Sequence, residues 1–348
     1  MYYAQVKRRF AAFFLAGGTA PGKQRAGQAL PRNVEGMWNR AVRRGLVSAW
    51  LSEKDGKRKG RPMFNNFAPG MTGIRVSGLD AMIELAVRHG FEGIDLPTEE
   101  VVAMTDPIQA AEKTCKAGLK WGQFSISMDP FADREDYDKG LARLRQVAPV
   151  ARQVGCTRCC SYVLPGSNEQ TYDERWRFVI ERYKPVIDIL GAHGLRLGIE
   201  FIGPKTLRDR YKHVFMYTLD EALKLTDEVD PAGTTAGITL DTFHWYTSGG
   251  TVEDITAKLG GGRIVLVHVN DAPAGRSRDE QIDGQRAMPT ETGVIDLAGF
   301  MRALRQVHYD GPLMPEPFQP QAQRLGKLPV DEAVAEVMRY MKKLMALG

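Results

Sequence analysis

Leu195-Arg196-Leu197-Gly198-Ile199-Glu200 and Gly237-Ile238-Thr239-Leu240-Asp241-Thr242-Phe243-His244 share one pattern with Ile264-Val265-Leu266-Val267-His268-Val269-Asn270-Asp271 and Leu313-Met314-Pro315-Glu316-Pro317-Phe318. Each is a short apolar run that ends in an acid or an imidazole. Runs of this length read as buried strands of a parallel sheet. A (β/α)8 barrel builds its active site at the C-terminal ends of its strands. Glu200, Asp241, His268 and Glu316 would then come from four successive strands and meet at one side of the barrel mouth. Two Glu, one Asp and one His together make a divalent-cation site of oxygen ligands plus one imidazole. Such a donor set favours Mn2+ first, with Mg2+, Co2+ and Zn2+ left open.

Working outward from those runs, strand and helix patterns alternate eight times from Met63 onward. The strands are expected at Met63–Phe67, Gly93–Leu96, Lys120–Ser127, Thr157–Val163, Arg196–Ile202, Gly237–Asp241, Arg263–Val269 and Gly311–Glu316. The helices after them are expected at Leu79–His89, Ile108–Ala117, Tyr137–Val154, Asp173–His193, Leu219–Thr226, Val252–Leu259, Leu297–Val307 and Val330–Leu347. Gly90, Gly155 and Gly194 stand where helices should stop. Each unit takes about 36 residues, which suits a single α/β (β/α)8 TIM barrel over 63–348. An open doubly wound sheet is the competing fold. It would normally carry a glycine-rich dinucleotide loop after the first strand, and Asn65-Asn66-Phe67-Ala68-Pro69-Gly70 is not one.

Residues 1–62 differ in kind. They hold 14 of the 47 Lys and Arg residues but only 3 of the 42 Asp and Glu, so they carry about +11 and the remainder about −6. An acidic body is a poor phosphate-backbone binder, which argues against a nucleic-acid partner. No apolar run approaches the roughly 20 residues that span a bilayer, so no membrane partner is expected either. Lys7-Arg8-Arg9 ahead of Phe10–Leu15 is compatible with a twin-arginine export signal. The short apolar run and the basic, irregular residues after it favour an irregular basic N-terminal extension, disordered or non-native, before a cytoplasmic barrel. Translation beginning at Met63 is a further option. Cys156, Cys159 and Cys160 form a CxxCC cluster on an expected strand, with no second pair at zinc-finger spacing; together with Cys115 they read as reduced structural thiols.

Each strand-end residue has a plainer alternative. Glu200 could form a salt bridge to Lys205 or Arg208. Asp241 could cap a helix starting at Thr242. His244 could be a packed surface histidine, and Glu316 a solvated loop acid between Pro315 and Pro317. His268 alternates with Leu266 and Ile264 on one strand face. Arg276, Arg278 and Arg286 in the long segment after the seventh strand could grip hydroxyls or an anion. Phe67, Trp121, Phe124 and Trp245 could shape a pocket, although most aromatic residues of a barrel are core. Asp95 could face the mouth, with a structural salt bridge as the safer reading. Thr206–Tyr217 could be a lid or a subunit contact.

The order Glu…Asp-x-x-His…His…Glu resembles the xylose-isomerase-like superfamily of sugar isomerases and epimerases. GFEGIDL, GIEFIGPKT, LDTFHWYTSGG, HVNDAPAGRSRDE and the EPF end of the last strand add to the likeness, which covers about residues 63–345. The resemblance implies that Glu200, Asp241, His268 and Glu316 are metal ligands and that Glu200 and Glu316 form the acid/base pair. It also implies His244 and Arg276 as substrate contacts. The implied reaction is metal-dependent isomerisation or epimerisation of a sugar or keto-sugar by α-proton abstraction through an enediolate. The same apparatus could serve a lyase or dehydratase acting on a keto-inositol or 3-keto-glycoside. An abasic-site endonuclease is remote, because its three-zinc site needs more histidines than the six present here. The expected partner is a small sugar-like substrate, and a homo-oligomer is left open.

Overall fold

The computed structural model describes residues 63–347. The expectations for the N-terminal extension lie outside the described residues. Eight parallel strands make one sheet: β1 (Phe64–Phe67), β2 (Gly93–Ile94), β3 (Lys120–Trp121), β4 (Arg158–Val163), β5 (Arg196–Phe201), β6 (Ala236–Asp241), β7 (Ile264–Val269) and β8 (Pro312–Pro315). Their lateral order is β3-β2-β1-β8-β7-β6-β5-β4. The Phe124 amide, just past β3, donates to the Arg158 carbonyl of β4 at 2.9 Å and joins the two ends of the sheet. The expected (β/α)8 TIM barrel is therefore the observed fold.

The eight main helices are α1 (Leu79–His89), α2 (Ile108–Lys116), α3 (Arg134–Val154), α4 (Tyr172–Ala192), α5 (Leu219–Val229), α6 (Val252–Lys258), α7 (Leu297–Gln306) and α8 (Val330–Met345). Their starts follow from capping chemistry. Thr171 with Glu174, Thr218 with Glu221 and Thr251 with Asp254 form capping boxes at α4, α5 and α6, each satisfying two otherwise orphaned amides. Their apolar faces meet the outer face of the sheet in one continuous core, with Leu79, Met82 and Ala86 of α1 and Val334, Val337 and Met341 of α8 among the buried residues. A separate small cluster holds Ala68, Val265, Leu266 and Met314. No described helix is long and apolar enough to cross a membrane.

Two differences from the expected elements bear on function. The third strand is shorter than Lys120–Ser127: the ladder stops at Trp121, and Gln123–Ser127 continues without regular pairing, with Ser127 at φ 53°. The segment Thr206–Tyr217, expected as a lid or a subunit contact, carries regular structure of its own. Lys205–Arg208 is a short helix, and His213–Val214 pairs antiparallel with Gly166–Ser167.

Candidate metal centre at the barrel mouth

Strand register sets two of the four sequence-selected residues, Asp241 and His268, level with each other. Asp241 of β6 is paired with His268 of β7, and His268 with Met314 of β8, two residues before Glu316. The Glu316 amide continues that ladder by donating to the Val269 carbonyl at 3.0 Å. A β-bulge makes this level arrangement. Ile238 pairs with Ile264, but Thr239 pairs with Leu266, so Val265 is an extra residue on β7. Without it Asp241 would face Val267, whose side chain points to the other side of the sheet. At the neighbouring seam Gly198 leaves room for Thr239: a Cβ at Gly198 would lie 2.1 Å from Thr239 Oγ1.

The result is a buried cluster. Glu200, Asp241, His268 and Glu316 each offer one ligand atom, and these atoms all lie within 4.8 Å of one another. Exposure is 0% for Asp241, 1% for His268 and 8% for each glutamate, so water screens these charges poorly. His268 Nδ1 is 3.0 Å from Glu200 Oε1 and 3.6 Å from Glu316 Oε2. Asp241 divides its two oxygens. Oδ1 accepts from the amides of Phe243 and His244 at 2.8 and 2.9 Å and caps the helix Thr242–Thr247. Oδ2 accepts from Asn270 Nδ2 at 2.8 Å and Arg286 Nη1 at 3.1 Å. The helix-cap reading and the cluster reading of Asp241 are thus both realised, one per oxygen.

Arg286 supplies the fixed positive charge. Its Nη1 also donates to Glu316 Oε2 at 2.5 Å, and its Nη2 donates to Asp283 Oδ1 at 3.0 Å and lies 2.9 Å from His244 Nε2. Phe318 and Phe243 flank the guanidinium, 4.2 and 5.0 Å from ring centroid to Cζ. His244, 1% exposed, accepts from the Gly203 amide through Nδ1 at 3.2 Å.

The charges settle unequally. Burial pushes the Glu200 carboxyl up to about 7 against the pull of His268. Burial acts on Glu316 in the same sense, but the positive charges of His268 and Arg286 outweigh it and hold that carboxyl at about 2. His268 is raised well above an ordinary imidazole: burial opposes its charge, and Glu316 and Glu200 prevail. His244 falls to about 3 through burial and the neighbouring Arg286, so it stays neutral. Three buried carboxylates against one guanidinium leave a negative excess that protons or a dication must neutralise. Three carboxylate donors and one imidazole nitrogen within reach of one point fit a divalent cation.

The structure places the other expected site residues elsewhere. Lys205 pairs with Asp209 at 2.5 Å, and Arg208 Nε donates to the Gly203 carbonyl at 3.1 Å, so the salt-bridge alternative for Glu200 is not formed. Arg276 is half-buried and donates to Gln285 Oε1 at 2.8 Å; Arg286 is the loop arginine that reaches the carboxylates. Arg278 stacks on Tyr246 at 5.4 Å. Trp245 packs on Phe300 at 5.2 Å in the core, while Phe124 lines a cavity beside the cluster. All four cysteines are free; Cys156 and Cys159 are buried, and Cys160 packs against the cluster of Val265 and Met314 and also lines that cavity. Sequence reasoning missed Asn270, although it sits two residues after His268, and gave Arg286 no preference over its neighbours. Its one available signal was the acid three residues before it, Asp283, which it bonds.

A family model for the xylose isomerase-like TIM barrel matches residues 83–344. The inosose isomerase of Bacillus subtilis (strain 168) is 21% identical over 272 residues, which covers 76% of this chain and 91% of that protein. The L-ribulose 3-epimerase of Methylomonas sp. (strain DH-1) is 24% identical over 255 residues, covering 70% and 79%. A crystal structure of the IolI protein with a bound zinc atom superposes with a TM-score of 0.66 at 19% identity, covering 82% of this chain and 98% of that one. The family match spans most of the chain and covers the barrel from within α1 to α8: this protein belongs to the xylose isomerase-like TIM barrel family.

Proposed function

We propose that the protein is a divalent-metal-dependent isomerase or epimerase of a sugar or keto-sugar. The observation that carries this reading is the buried convergence of Glu200, Asp241, His268 and Glu316 at the C-terminal rim. Two relatives named as an inosose isomerase and an L-ribulose 3-epimerase support it, and the zinc in the IolI structure supports a metal.

Those four residues would hold the ion, with Mn2+ the favoured metal. The bound cation would supply positive charge next to the substrate carbonyl, which makes the α-hydrogen more acidic and stabilises an enediolate. The chain's own residues do the remaining work. Glu200 and Glu316 come from β5 and from just past β8, with β6 and β7 between them, so they approach the substrate from two directions. One takes the α-proton and the other delivers a proton, to the opposite face for epimerisation or to the neighbouring position for isomerisation. Arg286 and Asn270 hold the Asp241 and Glu316 carboxylates in place before the substrate arrives. The resemblance gives His244 and Arg276 the role of substrate contacts.

The test is a screen of metal-loaded protein against ketoses, keto-inositols and 3-keto-glycosides in deuterated water, with mass spectrometry of the recovered sugar. The expected result is deuterium at a carbon next to the carbonyl, with an isomer or epimer as product. Glu316→Gln should slow exchange by at least about a hundredfold with the fold intact. Elimination products would instead assign a lyase, and undiminished exchange in Glu316→Gln would remove Glu316 from proton transfer.

A further inference from the structure

A cavity of about 520 Å3 opens from Glu200 toward β2, β3 and β4. Its polar lining is Asp95, Gln123, Ser125, Asp129 and Ser161, and no Lys, Arg or His is among its described lining residues. A sugar with its carbonyl at the carboxylate cluster would extend its remaining carbons into this space.

Asp95 is a built feature of that wall. Asn66, fully buried at the end of β1, donates from Nδ2 to Asp95 Oδ1 at 2.7 Å, and Gln123 Nε2 reaches Oδ2 at 3.4 Å. Both of these neighbours are neutral amides, which orient the carboxyl without neutralising it. Two glycines make room for the arrangement. A Cβ at Gly122 would lie 2.4 Å from the Asn66 amide nitrogen, and one at Gly93 would lie 2.9 Å from Asn66 Oδ1. Gln123 in turn accepts from the Cys160 thiol at 3.2 Å, so its own orientation is fixed. A carboxyl offers about four lone-pair directions, and the amides use two, leaving acceptors for hydroxyl donors. Hydrogen bonds from hydroxyls to a carboxylate are short and among the stronger kind.

We propose that Asp95 is a specificity-determining residue that accepts hydroxyls from the part of the substrate distant from the carbonyl, and that the substrate is an uncharged polyol carbonyl compound and not a phosphate ester. This rests on the reading that a sugar carbonyl sits at the cluster. A phosphate group carries close to two negative charges near neutral pH. Placed between Asp95 and Asp129, with no cation among the described lining residues, it would meet like-charge repulsion.

The test compares unphosphorylated ketoses and inososes with their phosphate esters on the full chain loaded with Mn2+. Binding is followed by calorimetry and solvent deuterium exchange by mass spectrometry. The proposal expects binding and exchange with the free compounds and at least a hundredfold lower kcat/KM with the esters. Asp95→Asn should raise KM by roughly tenfold to a hundredfold, with much less change in kcat. A merely structural role would not produce that split. Esters bound or turned over as well as the free compounds, binding of neither class, or an unchanged KM in Asp95→Asn would each overturn the proposal. Free polyols that bind without exchange would sink the proton-abstraction reading and uphold this one. Exchange confined to esters would do the reverse.

Discussion

Asp95 illustrates what a single residue contributes to the site and what it costs. Burial raises its carboxyl from 3.8 to about 6, so the folded protein favours the neutral form. Its contribution to stability is therefore fully present below about pH 4 and is lost as pH rises through 6. Two units correspond to at most about 3 kcal/mol, and the solvent in the cavity reduces this to roughly 1–2 kcal/mol. Asp95→Asn removes the penalty, so the variant should be more stable than the parent at pH 8 and equal to it near pH 4. Denaturant unfolding at both pH values checks this; an equal difference at both would show that charge burial is not the cause. A site residue whose removal stabilises the protein is a known form of the trade between stability and function. At this scale the ligand-type residues were legible because each is a polar group ending an apolar run. Arg286 and Asn66 were not. One is placed by a long loop, and the other by glycines on neighbouring strands that no local pattern connects to it.

At the scale of the element, register decides whether the site exists. The extra residue Val265 on β7 keeps Asp241 and His268 level, and Gly198 on β5 admits Thr239 of β6. Gly198→Ala would drive a methyl against the Thr239 hydroxyl at 2.1 Å in a fully buried seam. The expected cost is on the order of 2 kcal/mol, with metal affinity reduced as well because Glu200 lies two residues away. Urea unfolding measures the first and a metal titration the second. A variant as stable as the parent would show that β5 and β6 tolerate a wider spacing. The strands and the eight main helices were legible from periodicity and from the stop signals at Gly90, Gly155 and Gly194. The short third strand was not: Lys120–Ser127 reads as a continuous strand, but Ser125 donates its amide to Thr98 Oγ1 at 2.9 Å instead of to a neighbouring strand. The bulge in β7 has no local sequence mark either, because Val265 and Leu266 suit a strand in any register.

Across the whole molecule, the barrel gathers charge at one rim. Residues separated by more than a hundred positions, from Glu200 to Glu316, meet because β5 to β8 are adjacent staves. The fold class was legible because eight similar units and strand-end polar residues point to the same architecture. What the chain could not reveal on its own is how the negative excess is balanced, since that depends on Arg286 entering the cluster from the loop after β7.

Titration of the purified chain with Mn2+, with free ion followed by electron paramagnetic resonance, tests the central claim most directly. One tightly held ion per chain is expected, with the tight site lost in Asp241→Asn and in His268→Gln while both variants remain folded. A parent chain that holds no ion tightly, or variants that bind it as well as the parent, would contradict the account.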